Sequence, residues 1–366
     1  MRRPPPLWLR NSSRFGGIGK PFARLLLGLA ALLILLSFQA LFLPQPSGDG
    51  AIAQSDLLLY EGIVSALHAG GDYYTVTADS LRAGNYPLRS FDTFRLPTLA
   101  VVQASLPPML LSSLMIALAS ITGLVWLNRL RSEAVADLPA VLVTAVMLAG
   151  GLVAFVQTGL WALHEFWAAP LVALSLGLRR PGNWVNSAAI GLIAGLIAET
   201  ALVYLIVMAV FAWAEGARRE AYGWIGAILL FGVVLTFHAM AVAAVTGPLD
   251  PQASGWSGLY GFGLFVRSAS LATALQAVPL WIAAPIVALA LFGWMGLRDP
   301  LGLRVAAMLT GYALIIATFG RLESLTWAVM AAPLLLVGLV FVPDSLRDLT
   351  AAALDRRRIR VQRIVR

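Results

Sequence analysis

The sequence predicts an all-α polytopic membrane protein, with about ten transmembrane helices and a long first extracytoplasmic loop that contains short amphipathic helices. Hydrophobic residues make up 59% of the 366 residues and charged residues only 12%, and the mean hydropathy is +0.82. A soluble domain of this length needs more charge to cover its surface. Several apolar runs reach the roughly 20 residues that cross a bilayer. These runs do not alternate with period 2, which excludes a transmembrane β-barrel.

The transmembrane domain is predicted to occupy residues 22–342, between a basic cytoplasmic N-terminus (1–21) and a basic cytoplasmic tail (343–366). The first apolar run is too long for the core of a signal peptide, and no small-x-small cleavage site follows it, so we interpret it as a retained helix. The predicted spans are 22–43, 109–127, 139–156, 161–178, 184–199, 200–215, 223–246, 279–296, 303–319 and 325–342.

The distribution of basic residues predicts the orientation. With the N-terminus inside, 21 of the 26 Lys and Arg residues fall on the cytoplasmic side, as the positive-inside rule requires. The net charge of +8 therefore indicates membrane topology and not a nucleic-acid partner. Both termini are then cytoplasmic in a plasma (bacterial inner) membrane. The basic residues left outside are Arg82, Arg89, Arg95, Arg267 and Arg321.

The first outer loop, residues 44–107, holds most of the acidic side chains outside the membrane. Ser55 is expected to cap a surface helix that runs from Asp56 to about His68 and ends at Gly70-Gly71. On this helix Asp56 and Tyr60 share a face, whereas Glu61 points elsewhere. A second short helix is expected from about Thr77 to Ala83.

Two further regions are expected on the same side. The stretch from Trp184 to Glu215 is too long for one span, so a tight outer turn is predicted at Glu199-Thr200. An outer turn is also the less costly place for a carboxylate. The second outer loop, 247–278, is rich in Gly, Pro and Trp, and it either folds over a substrate or connects two spans.

The ionisable side chains of the outer face suit transfer chemistry on a phosphate-bearing lipid. A carboxylate can accept a proton from an attacking hydroxyl, while arginine and histidine can hold a phosphate leaving group. The chain has no cysteine and no Gly-x-Ser-x-Gly elbow, and no two histidines have the spacing of zinc ligands. A hydrolase triad or a zinc site is therefore not indicated, and the second loop lacks the phosphate-binding P-loop pattern.

Six short pieces resemble the GT-C superfamily of polytopic glycosyltransferases, which use polyprenyl-phosphate-linked sugars on the extracytoplasmic face. They are Asp56 in the first loop, Gly70-Gly71-Asp72-Tyr73-Tyr74, Tyr86-Pro87 with Arg95-Leu96-Pro97, His164-Glu165-Phe166-Trp167, Ala198-Glu199-Thr200, and Gly320-Arg321-Leu322-Glu323 with Trp327 and Pro333. Two positions depart from the family pattern: Ser55 stands where many members have a second acid, and Ala198 stands where related sequences have an arginine.

The resemblance implies a GT-C-like fold and an integral membrane glycosyltransferase with Asp56 as the general base. It implies donor-phosphate binding by Arg95, His164 and Arg321. The supporting or substrate-binding residues would be Tyr60, Glu61, Tyr73, Tyr74, Glu165, Glu199 and His238. The partners would be the polyprenyl-phosphate-linked sugar, a lipid, glycan or protein acceptor, and membrane lipids. No cofactor is needed, and a divalent metal is optional.

Each of these residues also has a structural interpretation. Asp56 could be an N-terminal helix acid, Arg95 could pair with Asp92, Glu199 could orient Arg95 or cap its turn, and His238 could be a satisfied core residue. Tyr73 and Tyr74 could anchor the loop at the interface. Two other functions stay open as well. A transporter or lipid flippase would place charges at the bilayer midplane in two similar halves, and a catalytically inactive GT-C-like scaffold would keep the fold alone.

Overall fold

The computed structural model describes residues 6–44, 49–89, 93–135, 137–157, 159–252, 259–320 and 325–354, and this part of the chain is helical apart from two isolated β-bridges. Its α-helices, in chain order, are α1 Lys20–Ser37, α2 Asp49–His68, α3 Tyr73–Ala83, α4 Pro97–Ala104, α5 Pro108–Glu133, α6 Leu138–Leu152, α7 Glu165–Leu178, α8 Val185–Ile197, α9 Leu202–Ala214, α10 Arg218–Val245, α11 Gly261–Leu271, α12 Leu280–Gly293, α13 Pro300–Phe319, α14 Ala332–Leu335 and α15 Val342–Leu354.

Five helical segments in the described part are long and apolar enough to cross a membrane. They are Lys20–Phe42, Pro108–Glu133, Leu138–Val156, Arg218–Val245 and Pro300–Phe319. Four more apolar helices, α7, α8, α9 and α12, are shorter. The chain is thus an all-helical membrane protein, as predicted, whereas the count of ten full spans goes beyond what these lengths show.

The helices of the first loop begin earlier than the sequence predicts. α2 starts at Asp49, so Ser55 lies inside the helix and cannot cap it. The residues before Ser55 include two alanines and no proline, so nothing in the local sequence stops the helix there. α3 starts at Tyr73 because the Asp72 carboxylate caps it by accepting a hydrogen bond from the Thr75 N–H at 3.0 Å. The end of α2 is as predicted, since Gly70 adopts φ +92° just beyond it.

The first and the last described segments lie at one end of the helix bundle, which we call the terminal end. The backbone N–H groups of Leu7, Trp8 and Leu9 donate to the buried Asp344 carboxylate at 2.7–3.1 Å. Asp344 belongs to α15, whose inward face packs on α1. The region expected to be a surface tail therefore starts as a packed helix. Residues 355–366 lie outside the described residues.

The last predicted span is an interrupted core element. Leu325–Met330 and Leu336–Phe341 are 3-10 helices on either side of α14, and most of their side chains are buried. Close backbone contact explains this irregular path. A methyl group on Gly338 would lie 1.8 Å from the Ala290 carbonyl oxygen of α12. The segment is enclosed by other helices, whereas an ordinary span exposes one face to lipid.

The second large loop contains a buried helix that the sequence analysis did not anticipate. α11 packs between α12, α13 and the turn Phe38–Phe42 that follows α1. Eight of its consecutive residues, Gly263–Ser270, are buried. Its Arg267 donates to the Pro44 carbonyl oxygen at 2.8 Å and so fastens the end of the first span. This helix of the loop is therefore part of the core.

A buried ion cluster joins four helices at the terminal end. Arg179, just after α7, binds Glu220 of α10 through two hydrogen bonds of 2.9 and 2.7 Å. Arg304 of α13 is fully buried and donates to Glu215, just after α9, at 2.5 Å. In the sequence, these arginines indicate only which side of the membrane their segments occupy. Their pairing shows that they also hold the bundle together.

We call the opposite end, which carries α2–α4, the loop end. There α8 and α9 turn back beside α10 well before α10 ends, and we call the region above their turn the recess. α8 and α9 each have 13 residues, or roughly 20 Å, whereas the 28 residues of α10 extend roughly 42 Å. The Phe94 carbonyl oxygen lies 3.2 Å from His238 Nε2. Because His238 precedes the end of α10 by about two turns, the loop before α4 enters the bundle roughly 10 Å below that end.

Candidate functional site

A three-residue ion cluster lies in the recess at the loop end. Arg95 Nη2 is 2.6 Å from Glu165 Oε1, and Arg95 Nη1 is 3.2 Å from Glu199 Oε2. The second oxygen of Glu199 accepts a hydrogen bond from the Leu96 N–H at 3.2 Å. Glu165 is the first residue of α7, and Glu199 lies in the turn between α8 and α9. The arginine therefore connects the first loop to two helix ends.

The environment of the cluster keeps Arg95 charged. Its side chain is 18% exposed, that of Glu165 3% and that of Glu199 28%. Burial alone would lower the pKa of Arg95, but Glu165, Tyr60 and Glu199 together raise it well above its ordinary value. Because both terminal nitrogens of the guanidinium already contact carboxylates, a phosphate would have to share this cation with Glu165 and Glu199.

Hydrogen bonds from two tyrosines and a histidine hold the loop that carries Arg95. The Tyr73 hydroxyl donates to the Arg95 carbonyl oxygen at 2.5 Å. His238 Nδ1 is 3.2 Å from the Tyr74 hydroxyl, and His238 Nε2 is 3.2 Å from the Phe94 carbonyl oxygen. Tyr73, Tyr74 and His238 therefore have positioning contacts, and His238 is a satisfied, buried residue.

His164 lies beside this cluster and lacks a hydrogen-bond partner. The side chain is 2% exposed, and within the described part of the chain neither ring nitrogen has a partner. Burial, and after it the charge of Arg95, lowers the pKa of His164 to about 3, so the imidazole is neutral. Leaving a polar group buried without a partner costs about 1–3 kcal/mol. Protonation cannot relieve this, because a second cation beside Arg95 would be repelled.

Tyr60 connects Asp56 to the cluster. Its ring meets the His164 ring edge-on, with the ring centroids 5.1 Å apart. Burial raises the pKa of the Tyr60 phenol, although the neighbouring Arg95 opposes the shift. Asp56 lies one helical turn before Tyr60 and adds to that shift, as expected for two residues on one face.

Asp56 is half-buried, and a tyrosine from the end of the first loop contacts it. The Tyr86 hydroxyl lies 2.9 Å from Asp56 Oδ1 and 3.2 Å from the Ser55 hydroxyl. Burial first, and the adjacent Asp56 carboxylate as well, raise the pKa of Tyr86. The phenol therefore keeps its proton and can donate it to the carboxylate. Tyr86 was missed as a site residue, because a contact across thirty residues of loop leaves no signal in the sequence.

The other residues that the sequence predicts for the outer face have three different outcomes. Glu61 is half-buried and makes no ion pair with the described residues, so it is not brought to the cluster. Arg321 and Asp92 lie outside the described residues. Arg82 of α3, which the sequence predicts to lie outside, donates to both carboxylate oxygens of Asp250 at 2.9 and 2.8 Å. It therefore connects α3 to the segment after α10.

The described part of the site carries an excess of negative charge. Asp56, Glu165 and Glu199 supply three carboxylates, and Arg95 supplies one guanidinium. His164 adds no charge. No group of three His, Asp or Glu side chains with the arrangement of metal ligands occurs among the described residues.

A cavity of about 410 Å³ lies at the loop end, and its lining includes Leu88, two residues after Tyr86. Leu88 and Val242 give it apolar walls, and the exposed Arg89 stands at its edge. A cavity with polar and apolar walls and one cation in its lining has the chemistry of a site for an amphiphilic anion.

Comparison with known proteins adds no assignment. No protein family, curated protein or solved structure matches this chain. The GT-C resemblance therefore stays a prediction from short motifs, and the geometry of the site has to carry any functional proposal.

Proposed function

We propose that the protein is an integral membrane glycosyltransferase that moves a sugar from a polyprenyl-phosphate donor to an acceptor hydroxyl at the extracytoplasmic face. One observation carries the proposal. The half-buried Asp56 contacts Tyr86 and lies one turn from Tyr60, above a recess that holds Arg95 and His164. A half-buried carboxylate that shares a helix face with Tyr60 suits a general base.

In the proposed reaction, Asp56 takes the proton from the acceptor hydroxyl as the acceptor oxygen attacks the anomeric carbon. The bond between that carbon and the phosphate oxygen breaks, and the lipid phosphate leaves with the electron pair. A single displacement of this kind inverts the anomeric configuration. Tyr86 holds the carboxylate in place, and the recess limits competition from water.

The paired state of Arg95 changes its role in the proposal. Its contacts with Glu165 and Glu199 make it a positioning residue that orders two helix ends. The donor phosphate is then left to cations at the margin of the site. Arg321 keeps that assignment from the sequence, and Arg89 in the lining of the cavity offers a second one.

Transfer from labelled polyprenyl-phosphate sugars tests the proposal. In membranes that contain the full-length chain, we expect Asp56→Asn to lower transfer at least 100-fold, because general-base catalysis contributes about 10²–10⁴-fold. The matched control is Asp79→Asn, which changes an exposed acid of the same loop and should transfer at the wild-type rate. Full transfer by folded Asp56→Asn would refute the base, and no transfer by the wild type with any donor would favour the inactive scaffold.

The orientation needs a separate test. The native chain has no cysteine, so single cysteines report their own accessibility. Ala83 and Ser132 are exposed at opposite ends of the bundle. We expect an impermeant maleimide to label Ala83→Cys in intact cells and Ser132→Cys only after lysis. The reverse pattern would place the loop end in the cytoplasm.

A further inference from the structure

We propose that His164 binds a hydroxyl group of an uncharged saccharide, so that the recess at the loop end recognises the sugar or glycan part of a substrate and not its phosphate. The proposal rests on the proposed function, which supplies the reason for expecting a saccharide. The observation behind it is the buried imidazole with two unpartnered ring nitrogens at the floor of the recess.

The hydrogen-bonding capacity of the imidazole defines the ligand. A neutral imidazole has one nitrogen that donates and one that accepts. Within the described residues, both nitrogens of His164 are buried and unused. Hydroxyl groups can serve both, because each can donate and accept. The unprotonated oxygens of a phosphodiester, as in a polyprenyl-phosphate sugar, accept only, so they would leave the accepting nitrogen of His164 without a partner.

The charges around His164 also favour an uncharged ligand. The guanidinium of Arg95 already binds the carboxylates of Glu165 and Glu199. A phosphate placed beside His164 would share that single cation with two carboxylates and would be repelled by them. A saccharide hydroxyl carries no charge, and it can also donate to the carboxylate oxygens.

The surroundings of the imidazole provide apolar surface for a sugar ring. Tyr60 contacts the His164 ring edge-on, and Trp161 and Trp167 belong to the same hydrophobic cluster as Tyr60. Aromatic rings supply the apolar area against which the C–H groups of a sugar can pack. Polar donors and acceptors beside aromatic surface therefore match a polyhydroxylated ring.

The test measures binding and does not require transfer. The chain has three histidines, so ¹⁵N-histidine labelling of the full-length protein in nanodiscs gives few ring-nitrogen signals. The probes are the methyl glycosides of glucose, galactose, mannose and arabinose, with inorganic phosphate as the anionic comparison. We expect at least one methyl glycoside to shift the His164 signals saturably, and inorganic phosphate to leave them unchanged over the same concentrations.

Variants separate this proposal from the proposed function. His164→Phe should weaken saccharide binding at least tenfold, measured by tryptophan fluorescence. His68→Phe, at an exposed histidine of the same end, should bind like the wild type. Asp56→Asn should keep saccharide binding even where transfer is lost. If His164→Phe does not fold, His164→Gln, which keeps one donor and one acceptor, takes its place and should retain part of the binding.

Three results would overturn the proposal. One is that no methyl glycoside shifts the His164 signals. Another is that inorganic phosphate shifts them and methyl glycosides do not, which would assign His164 to an anion. The last is undiminished saccharide binding by folded His164→Phe, which would make the imidazole a packing residue. A failure of the proposed function is a different result, namely wild-type transfer by Asp56→Asn.

Discussion

Replacing Arg95 with methionine should destabilise the protein more than any other single change at the loop end. The substitution keeps an unbranched apolar side chain and removes the charge that faces Glu165 and Glu199. Glu165 is 3% exposed, so its carboxylate would stay buried without a partner, whereas the 28% exposed Glu199 can turn to solvent. Most of the effect should therefore come from Glu165.

Two estimates of the magnitude agree. Two unit charges about 4 Å apart attract by about 4 kcal/mol at the effective dielectric constant of a protein surface. Removing one partner of a buried ion pair costs about 3–5 kcal/mol. At roughly 2 °C per kcal/mol, the lower end of the range for soluble proteins, Tm should fall by about 8 °C.

The assay is the thermal transition of the purified protein in one detergent, followed by tryptophan fluorescence. Arg89→Met is the matched control, because Arg89 is an exposed arginine of the same loop and should change the free energy of unfolding by about 0.5 kcal/mol or less. The double variant Arg95→Met/Glu165→Met should recover much of the lost stability. Equal transitions for Arg95→Met and Arg89→Met would refute the buried cluster.

Three other predictions concern different parts of the fold. Gly338→Ala should destabilise the protein strongly, because a methyl group there meets a backbone oxygen. Gly226 of α10 faces open space, so Gly226→Ala should be neutral or stabilising by about 0.5–1 kcal/mol. The thermal transitions of the two variants test this difference. Tyr86→Phe should lower transfer about tenfold, the loss of roughly 1.4 kcal/mol of hydrogen bonding to the charged base, measured in the transfer assay. Hydrogen bonds, first of all from Arg82, lower the pKa of Asp250 to about 2, so this contact stabilises the fold above about pH 4 and loses its effect as the pH falls through 2. Asp250→Asn should therefore expose the first loop to protease at pH 7, and the difference from the wild type should disappear toward pH 2.

The sequence predicts the membrane class and most helix positions because both depend on local composition and period. The meeting of Glu199 with Arg95 could also be anticipated, since an arginine at the outer face of a membrane needs a partner. The contact of Tyr86 with Asp56 could not, because it depends on the path of a loop. Burial of α11 also escaped prediction, since its Gly-rich sequence resembles a connecting loop and its environment is set by helices far away in the chain.

Arg304 and Arg179 show a related limit. Their position at the terminal end follows from the distribution of charge. A charge count, however, does not distinguish an exposed arginine from one in a buried ion pair. Only the packing of α7, α9, α10 and α13 shows that these two bind Glu215 and Glu220 out of contact with water.

The contact between the N-terminal segment and Asp344 has a consequence for biosynthesis. The N–H groups of Leu7, Trp8 and Leu9 leave the ribosome before every helix of the bundle, yet their acceptor belongs to α15. This segment must therefore stay without its acceptor until α15 has been made. Its docking onto α15 joins parts of the chain that are 335–337 residues apart, and a chain that stops before Asp344 leaves the segment unattached.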